Sequence, residues 1–135
     1  MMTFYVDGGC RGNNFTDESK RTMRAVVTDD AGTALIDLEK SGGTNGIAEL
    51  WALVEAMIIA RHAKLTEVQI YTDSTNLIGW VKTTPVHLLD RAEYKNLFSA
   101  LDNLRKKIQL NIDWIGRDDN LAGRYIELTA SESMI

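Results

Sequence analysis

The sequence contains only one cysteine and one proline among its 135 residues. The single cysteine, Cys10, cannot form a disulfide within the chain and gives no reason to place the protein in an oxidising compartment. Long apolar runs are also lacking, since the longest, 47–60, is interrupted by Glu49 and Glu55 and is too short to cross a bilayer. The N-terminus lacks the basic segment and apolar run of a signal peptide. We therefore expect a cytoplasmic protein without a membrane partner.

The chain also lacks an excess of positive charge. It has 15 lysines and arginines against 19 acidic residues, a net charge of −4. This balance argues against a protein that coats nucleic acid through a basic surface, although an acidic site that holds metal ions remains compatible with a nucleic-acid enzyme. No linker of proline, glycine and serine divides the sequence, and no internal repeat is present. We expect a single domain over 1–135, a monomer with no obligate protein partner.

The alternation of segment types predicts an α/β fold with a mixed sheet. Runs rich in β-prone residues predict five strands, at 3–6, 22–28, 33–39, 68–72 and 108–115. Apolar residues at helical spacing, or helix-capping residues, predict helices at about 45–63, 74–81, 90–108 and 118–130.

Three carboxylates lie where this pattern has no structural use for charge. Asp7 ends the first strand, Asp73 ends the fourth, and Glu49 lies in the first turn of the most apolar helix. If the first and fourth strands are neighbours, the three side chains can converge, and such a cluster is costly without a cation. Carboxylate oxygens suit Mg²⁺ or Mn²⁺. Each residue also has an ordinary structural explanation, as a turn residue, a helix cap or a favourable charge near a helix N-terminus.

The sequence around these carboxylates resembles the ribonuclease HI family. The segments YVDGGCRGN (5–13), TNGIAEL (44–50) and IYTDS (70–74) match three family motifs in the same order. The resemblance implies a ribonuclease H-like fold, in which helices pack on a five-stranded mixed β-sheet. It also implies an endonuclease that cuts the RNA strand of RNA–DNA hybrids by two-metal-ion hydrolysis and leaves 3′-hydroxyl and 5′-phosphate ends. Asp7, Glu49 and Asp73 then become catalytic ligands of Mg²⁺ or Mn²⁺.

Further positions match family residues that contact the hybrid near its minor groove or phosphates. These candidate substrate-binding residues are Cys10, Asn13, Thr44 and Asn45, and Arg117 stands about where many relatives carry a loop histidine. Donors and acceptors near the 2′-hydroxyl are what allows a protein to distinguish RNA from DNA. Asparagine and threonine in such loops also form turns and caps, so both interpretations stay open.

The C-terminal segment departs from the family pattern. Relatives carry a fourth metal-binding aspartate four residues after an asparagine, whereas here Arg124 follows Asn120 at that distance. The fourth ligand must then come from 118–120. We favour Asn120, whose amide oxygen can bind a hard cation, with Asp119 as the second choice and Asp118 as a helix cap. On this interpretation, exchanging Asn120 for aspartate keeps or raises activity.

Two other functions are compatible with the sequence. The altered fourth ligand and the acidic charge also fit a catalytically impaired ribonuclease H-like module that only binds nucleic acid. A nuclease of the same fold could act on another nucleic acid. The three retained carboxylates favour an enzyme over the first alternative, and the segments around Cys10 and Asn45 favour a hybrid substrate over the second.

Overall fold

The described part of the chain contains one mixed sheet of five strands. The structure is a computed structural model, and it describes residues 1–12 and 14–130. The strands are β1 (Met2–Arg11), β2 (Thr22–Thr28), β3 (Ala34–Ser41), β4 (Glu67–Thr72) and β5 (Gln109–Trp114). Their order is β3-β2-β1-β4-β5, in which β1, β2 and β3 pair antiparallel while β4 runs parallel to both β1 and β5. The predicted α/β fold is confirmed, and β1 and β4 are neighbours.

Four α-helices connect or follow these strands in the described residues. They are α1 (Asn45–His62), α2 (Thr75–Lys82), α3 (Ala92–Arg105) and α4 (Leu121–Ala130). Side-chain caps explain where α1 and α2 begin. Thr44 Oγ1 accepts a hydrogen bond from the Ile47 N–H at the start of α1, and Ser74 Oγ accepts one from the Leu77 N–H at the start of α2. No helix in the described part of the chain is both long and apolar enough to span a membrane.

Strand β1 is longer than predicted. The sequence indicated a strand that ends before Asp7, but antiparallel pairing with β2 continues as far as Arg11, which lies opposite Thr22. The parallel pairing with β4, in contrast, ends where Tyr5 lies opposite Tyr71. Asp7 therefore lies inside β1 yet just beyond its pairing with β4, where the sheet opens into a cleft.

Helices α1 and α4 cover opposite faces of the sheet. Successive residues of a strand face opposite sides: Gly8 lies against Ala48 of α1, and Asp7 lies against Gly123 of α4. The main apolar core lies on the α1 face, where strand residues such as Phe4 pack with helix residues such as Leu53. The site described below therefore lies at the end of the sheet where helices from both faces meet.

Polar contacts hold the C-terminal half of α4 on the sheet. The guanidinium of Arg24, on β2, donates to both carboxylate oxygens of Asp37 at 2.9 Å and to the Thr129 hydroxyl at 2.6 Å. The same guanidinium lies 5.6 Å from the centre of the Tyr125 ring. These contacts fix the helix that borders the cleft through Ile126.

Candidate active site

Three carboxylates from separate segments line one open cleft of about 460 Å³. Asp7 comes from β1, Asp73 follows β4 directly, and Glu49 comes from α1. The sequence predicted Glu49 in the first turn of α1. In the structure it is the fifth residue of the helix and so belongs to the second turn. The parallel pairing of β1 with β4 brings Asp7 and Asp73 together, and the close packing of α1 on Gly8 places Glu49 beside them.

Burial and crowding perturb the Asp7 carboxyl strongly. Burial, followed by repulsion from Asp73, raises its pKa from 3.8 to about 7, and Glu49 adds a smaller repulsion. A hydrogen bond from the Gly8 backbone and the positive charge of Arg117 oppose this rise only in part. The site therefore holds more negative charge than its surroundings stabilise.

Glu49 is held in place by the residue that caps α2. The Ser74 hydroxyl donates to Glu49 Oε2 at 2.7 Å while its oxygen caps the helix. Burial raises the pKa of the Glu49 carboxyl, and repulsion from Asp73 adds to the rise, although the Ser74 hydrogen bond opposes it. Ser74 thus couples the position of Glu49 to the segment that carries Asp73, a role that was not predicted from the sequence.

Of the predicted substrate-binding residues, Asn45 and Arg117 line the same cleft, whereas Cys10 and Thr44 do not. Asn45 lines it, and its Oδ1 accepts a hydrogen bond of 2.8 Å from the Cys10 backbone N–H. Thr44 caps α1 with its side chain. Arg117 lines the cleft and is highly exposed, with an ion pair of 3.4 Å to Glu127. Asn13 lies outside the described residues.

Trp114 also lines the cleft and was not among the predicted site residues. It ends β5, and its side chain is 57% exposed although its indole N–H donates to the Asp73 carbonyl at 3.2 Å. An exposed tryptophan fixed beside a carboxylate cluster is typical of a ligand-contacting residue. The exposure of Trp114 depends on tertiary packing, so the sequence alone could not identify this residue as part of the site.

The structure gives Asn120 partners outside the cleft. The side chain is completely buried, its Nδ2 donates to the Val6 carbonyl at 3.0 Å, and its Oδ1 accepts from the Ala122 N–H at 3.1 Å. These two bonds cap α4 and attach its start to β1. Asn120, and not Asp118, therefore supplies the helix cap.

The other candidates near the start of α4 are exposed. Asp118 and Asp119 lie in a 3-10 turn over Arg117–Asp119 and are not among the residues that line the cleft. Arg124 donates to the Asp118 carbonyl at 3.2 Å. Gly123, in the first turn of α4, approaches the carboxylates: a Cβ atom there would lie 3.2 Å from Asp7 Oδ2 and 3.7 Å from Asp73 Oδ2.

The donor set suits a hard divalent cation. Within residues 1–12 and 14–130, no group of three or more His, Cys, Asp or Glu side chains is arranged to hold a metal ion as the side chains stand. Three carboxylates nevertheless face one cleft. Asp7 Oδ2 and Asp73 Oδ2 lie close to each other, since a Cβ atom at position 123 would be within 3.7 Å of both. Since oxygen ligands and negative charge are what Mg²⁺ and Mn²⁺ require, the residues present fit such ions.

Comparison with known proteins identifies the family. The sequence model of the RNase H family matches residues 1–121. The chain belongs to the RNase H family. The matched segment contains Asp7, Glu49, Asp73 and Asn120, whereas Gly123 lies beyond it. A search of curated proteins found no match.

Solved RNase H structures share the fold over nearly the whole chain. LC11-RNase H1, solved in complex with an RNA/DNA hybrid and isolated from compost by a metagenomic approach, is 22% identical with a TM-score of 0.71, and 100% of each chain is covered. The N-terminal RNase H domain of Rv2228c from Mycobacterium tuberculosis is 21% identical with a TM-score of 0.67, covering 98% of this chain and 97% of that one. RNase H1 from Halobacterium salinarum is 18% identical with a TM-score of 0.68, covering 98% of both chains. These similarities confirm the ribonuclease H-like fold.

The Asn120 contacts predict that Asn120→Asp destabilises this RNase H protein. Aspartate cannot donate to the Val6 carbonyl, and it places a buried carboxylate against that oxygen. We expect a loss of roughly 2–3 kcal/mol in the free energy of unfolding, measured by urea denaturation at pH 8. Asn96→Asp, at an exposed position of α3, serves as the control and should change stability little. A fully stable Asn120→Asp protein that binds Mn²⁺ more tightly would instead make Asn120 a ligand.

Proposed function

We propose that this RNase H protein is a metal-dependent endonuclease that cleaves the RNA strand of RNA–DNA hybrids by two-metal-ion hydrolysis. The observation that carries the proposal is the convergence of Asp7, Glu49 and Asp73, from three separate segments, on one cleft of an RNase H fold. The family membership supports the reaction class, and a structural neighbour is solved with an RNA/DNA hybrid. The products would carry 3′-hydroxyl and 5′-phosphate ends.

Asp7, Glu49 and Asp73 would hold the Mg²⁺ or Mn²⁺ ions. When bound, such ions supply Lewis acidity and an activated water for phosphodiester hydrolysis. Burial and repulsion raise the pKa of Asp7, so the protein alone stabilises its ionised form poorly, and a bound cation would lower this pKa and favour the carboxylate. Ser74 keeps Glu49 directed toward the cleft through its hydrogen bond. Asn120, the predicted fourth ligand, would act as a positioning residue that holds α4 beside Asp7.

Arg117 and Trp114 would contact the nucleic acid on the β5 side of the cleft. The exposed guanidinium of Arg117 can bind a phosphate oxygen, and its charge already acts on Asp7. The exposed face of Trp114 can pack against a sugar or a base, while its N–H stays bound to the Asp73 carbonyl. Together they would place a phosphate next to the three carboxylates.

The side of the cleft formed by Asn45 and the β1 backbone would contact the sugar of the nucleic acid. Asn45 is exposed there, and its hydrogen bond with the Cys10 N–H leaves the side-chain NH₂ group suited to donate to a nucleic acid. Gly8 and Gly9 also line the cleft, so a sugar can approach the β1 backbone closely. Donors at this place would distinguish RNA through its 2′-hydroxyl, with Cys10 and Thr44 positioned beside Asn45.

A cleavage assay tests this proposal directly. Labelled RNA–DNA hybrid, RNA duplex and DNA duplex would be incubated with the protein in Mg²⁺, Mn²⁺ or EDTA. We expect cleavage of the RNA strand of the hybrid alone, only with a divalent cation, and 5′-phosphate products. Undiminished cleavage in EDTA would contradict the proposed chemistry, and equal cleavage of the DNA duplex would contradict the proposed substrate.

Binding without cleavage is the outcome expected of the alternative function. A non-catalytic module is favoured by one observation, namely that position 123, which faces Asp7 and Asp73, carries no side chain. Such a module would retain the hybrid in a gel-shift assay but would leave its RNA strand intact at every Mg²⁺ or Mn²⁺ concentration. The same samples therefore distinguish the two functions.

A further inference from the structure

We infer that position 123 is where a fourth coordinating side chain would project into the site, and that glycine at this position leaves the cations to Asp7, Glu49 and Asp73 alone. This inference rests on the proposed function, because it concerns the same cations. It differs from the expectation based on sequence, which assigned the fourth ligand to Asn120. It also predicts that a single substitution at position 123 can raise the affinity for the cation.

The geometry around Gly123 carries the inference. A Cβ atom there would lie 3.2 Å from Asp7 Oδ2 and 3.7 Å from Asp73 Oδ2, so a side chain at this position would enter the space between the two carboxylates. The same Cβ would lie 3.7 Å from the Cβ of Asn120. Position 123 is thus adjacent to Asn120 but faces the carboxylates, which the Asn120 amide does not.

The backbone does not require glycine at this position. Gly123 lies inside α4 and is not among the glycines with positive φ, so any L-amino acid can adopt its conformation. Glycine inside a helix is normally less stable than alanine because it loses more conformational freedom on folding. The contact at 3.2 Å is tight, but it is made to the terminal oxygen of Asp7, which can rotate.

The neighbouring residues do not supply the missing group. Asn120 uses its amide for the Val6 carbonyl and the Ala122 N–H. Arg124 is exposed and cationic, and its guanidinium is bound to the Asp118 carbonyl. Asp119 is exposed and does not line the cleft. Ile126, the α4 residue that lines the cleft, has an apolar side chain, so α4 provides no oxygen ligand there.

Direct measurement of Mn²⁺ binding to the full chain tests the inference without nucleic acid. Wild type, Gly123→Asp and Gly123→Ala would be titrated with Mn²⁺, and the free ion followed by electron paramagnetic resonance. We expect Gly123→Asp to lower the dissociation constant by about tenfold, because an additional ligand charge strengthens binding of a hard cation. Gly123→Ala adds the same Cβ without an oxygen and should bind within about twofold of wild type.

Thermal melts provide a second readout. The added carboxylate should lower the melting temperature of Gly123→Asp in EDTA, through repulsion by Asp7 and Asp73, and Mn²⁺ should raise it by more than in wild type. If Gly123→Asp does not fold without metal, Gly123→Asn offers an oxygen without the charge and should still bind Mn²⁺ more tightly than Gly123→Ala. The inference is overturned if the folded aspartate or asparagine variant binds Mn²⁺ no more tightly than the alanine variant.

The result separates this inference from the proposed function. Tighter Mn²⁺ binding by Gly123→Asp together with a lack of hybrid cleavage by every variant would support the assignment of position 123 and contradict the nuclease function. Hybrid cleavage by wild type together with unchanged Mn²⁺ affinity in Gly123→Asp would support the nuclease function and contradict the assignment of position 123.

Discussion

Replacing Asp7 with asparagine should abolish cleavage of the hybrid while making the metal-free protein more stable at neutral pH. Asp7 interacts electrostatically with both Asp73 and Glu49, and its removal would take away one of the three carboxylates that would hold the ions. Loss of an ion of this kind should reduce turnover by several orders of magnitude, on the order of 10³-fold or more. The stability gain arises because asparagine removes a buried charge that its neighbours repel.

The pH dependence of stability checks the second half of this expectation. Since the pKa of Asp7 is raised to about 7 in the folded protein from 3.8, the folded state binds more protons than the unfolded state between these values. Wild-type stability in EDTA should therefore fall as the pH rises from about 4 to 7, and then level off. The shift corresponds to about 4 kcal/mol, and Glu49, with its pKa also raised, adds to it in the same direction.

Urea denaturation of wild type and Asp7→Asn at pH 5 and pH 8 would measure this difference. We expect the variant to be more stable than wild type at pH 8, and the advantage to shrink at pH 5, where the wild-type carboxyl is protonated. Asp102→Asn, at an exposed position of α3, is the matched control and should change neither turnover nor the pH profile. An Asp7→Asn protein with normal turnover would place the active site elsewhere.

The strands, and the placement of Asp7 and Asp73 at or near strand ends, could be predicted because they depend on short-range patterns. The run at 68–72 and the residues after it already indicated a strand that ends at Asp73, and only the pairing of β1 with β4 was needed to bring Asp7 alongside. The length of β1 was not predictable in this way. Gly8 and Gly9 are weak strand formers, and they are extended because β2, more than twelve residues further along the chain, pairs with them.

The roles of Asn120 and Gly123, on the α4 side of the site, could not be predicted from the local sequence pattern. An asparagine at a helix start can bind a cation or cap the helix, and the choice depends on where the Val6 carbonyl lies, more than a hundred residues away in sequence. Gly123 offered no signal at all, because a glycine has no side chain from which chemistry could be read. Its importance follows only from the approach of α4 to Asp7.

The close packing of β1 against α1 gives the second large expected effect, a loss of stability and activity in Gly8→Ala. A Cβ at Gly8 would overlap the carbonyl carbon and oxygen of Ala48 and would lie 2.5 Å from the Glu49 nitrogen. These are backbone atoms in the interior of a helix, so they cannot rotate away, and α1 as a whole must move from the sheet. Because Glu49 lies at the point of contact, the displacement would separate it from Asp7 and Asp73.

We therefore expect Gly8→Ala to lose about 3 kcal/mol or more in the free energy of unfolding, at the upper end for overpacked sites, together with most of its hybrid cleavage. The neighbouring glycine provides a matched control, since a Cβ at Gly9 would have no atom within 4 Å. Gly9→Ala should consequently keep its stability within about 0.5 kcal/mol of wild type. Urea denaturation gives both free energies, and cleavage at a temperature where Gly8→Ala is still folded separates displacement of Glu49 from unfolding. Equal stability of the two variants would mean that β1 and α1 do not pack as closely at Gly8 as the structure indicates.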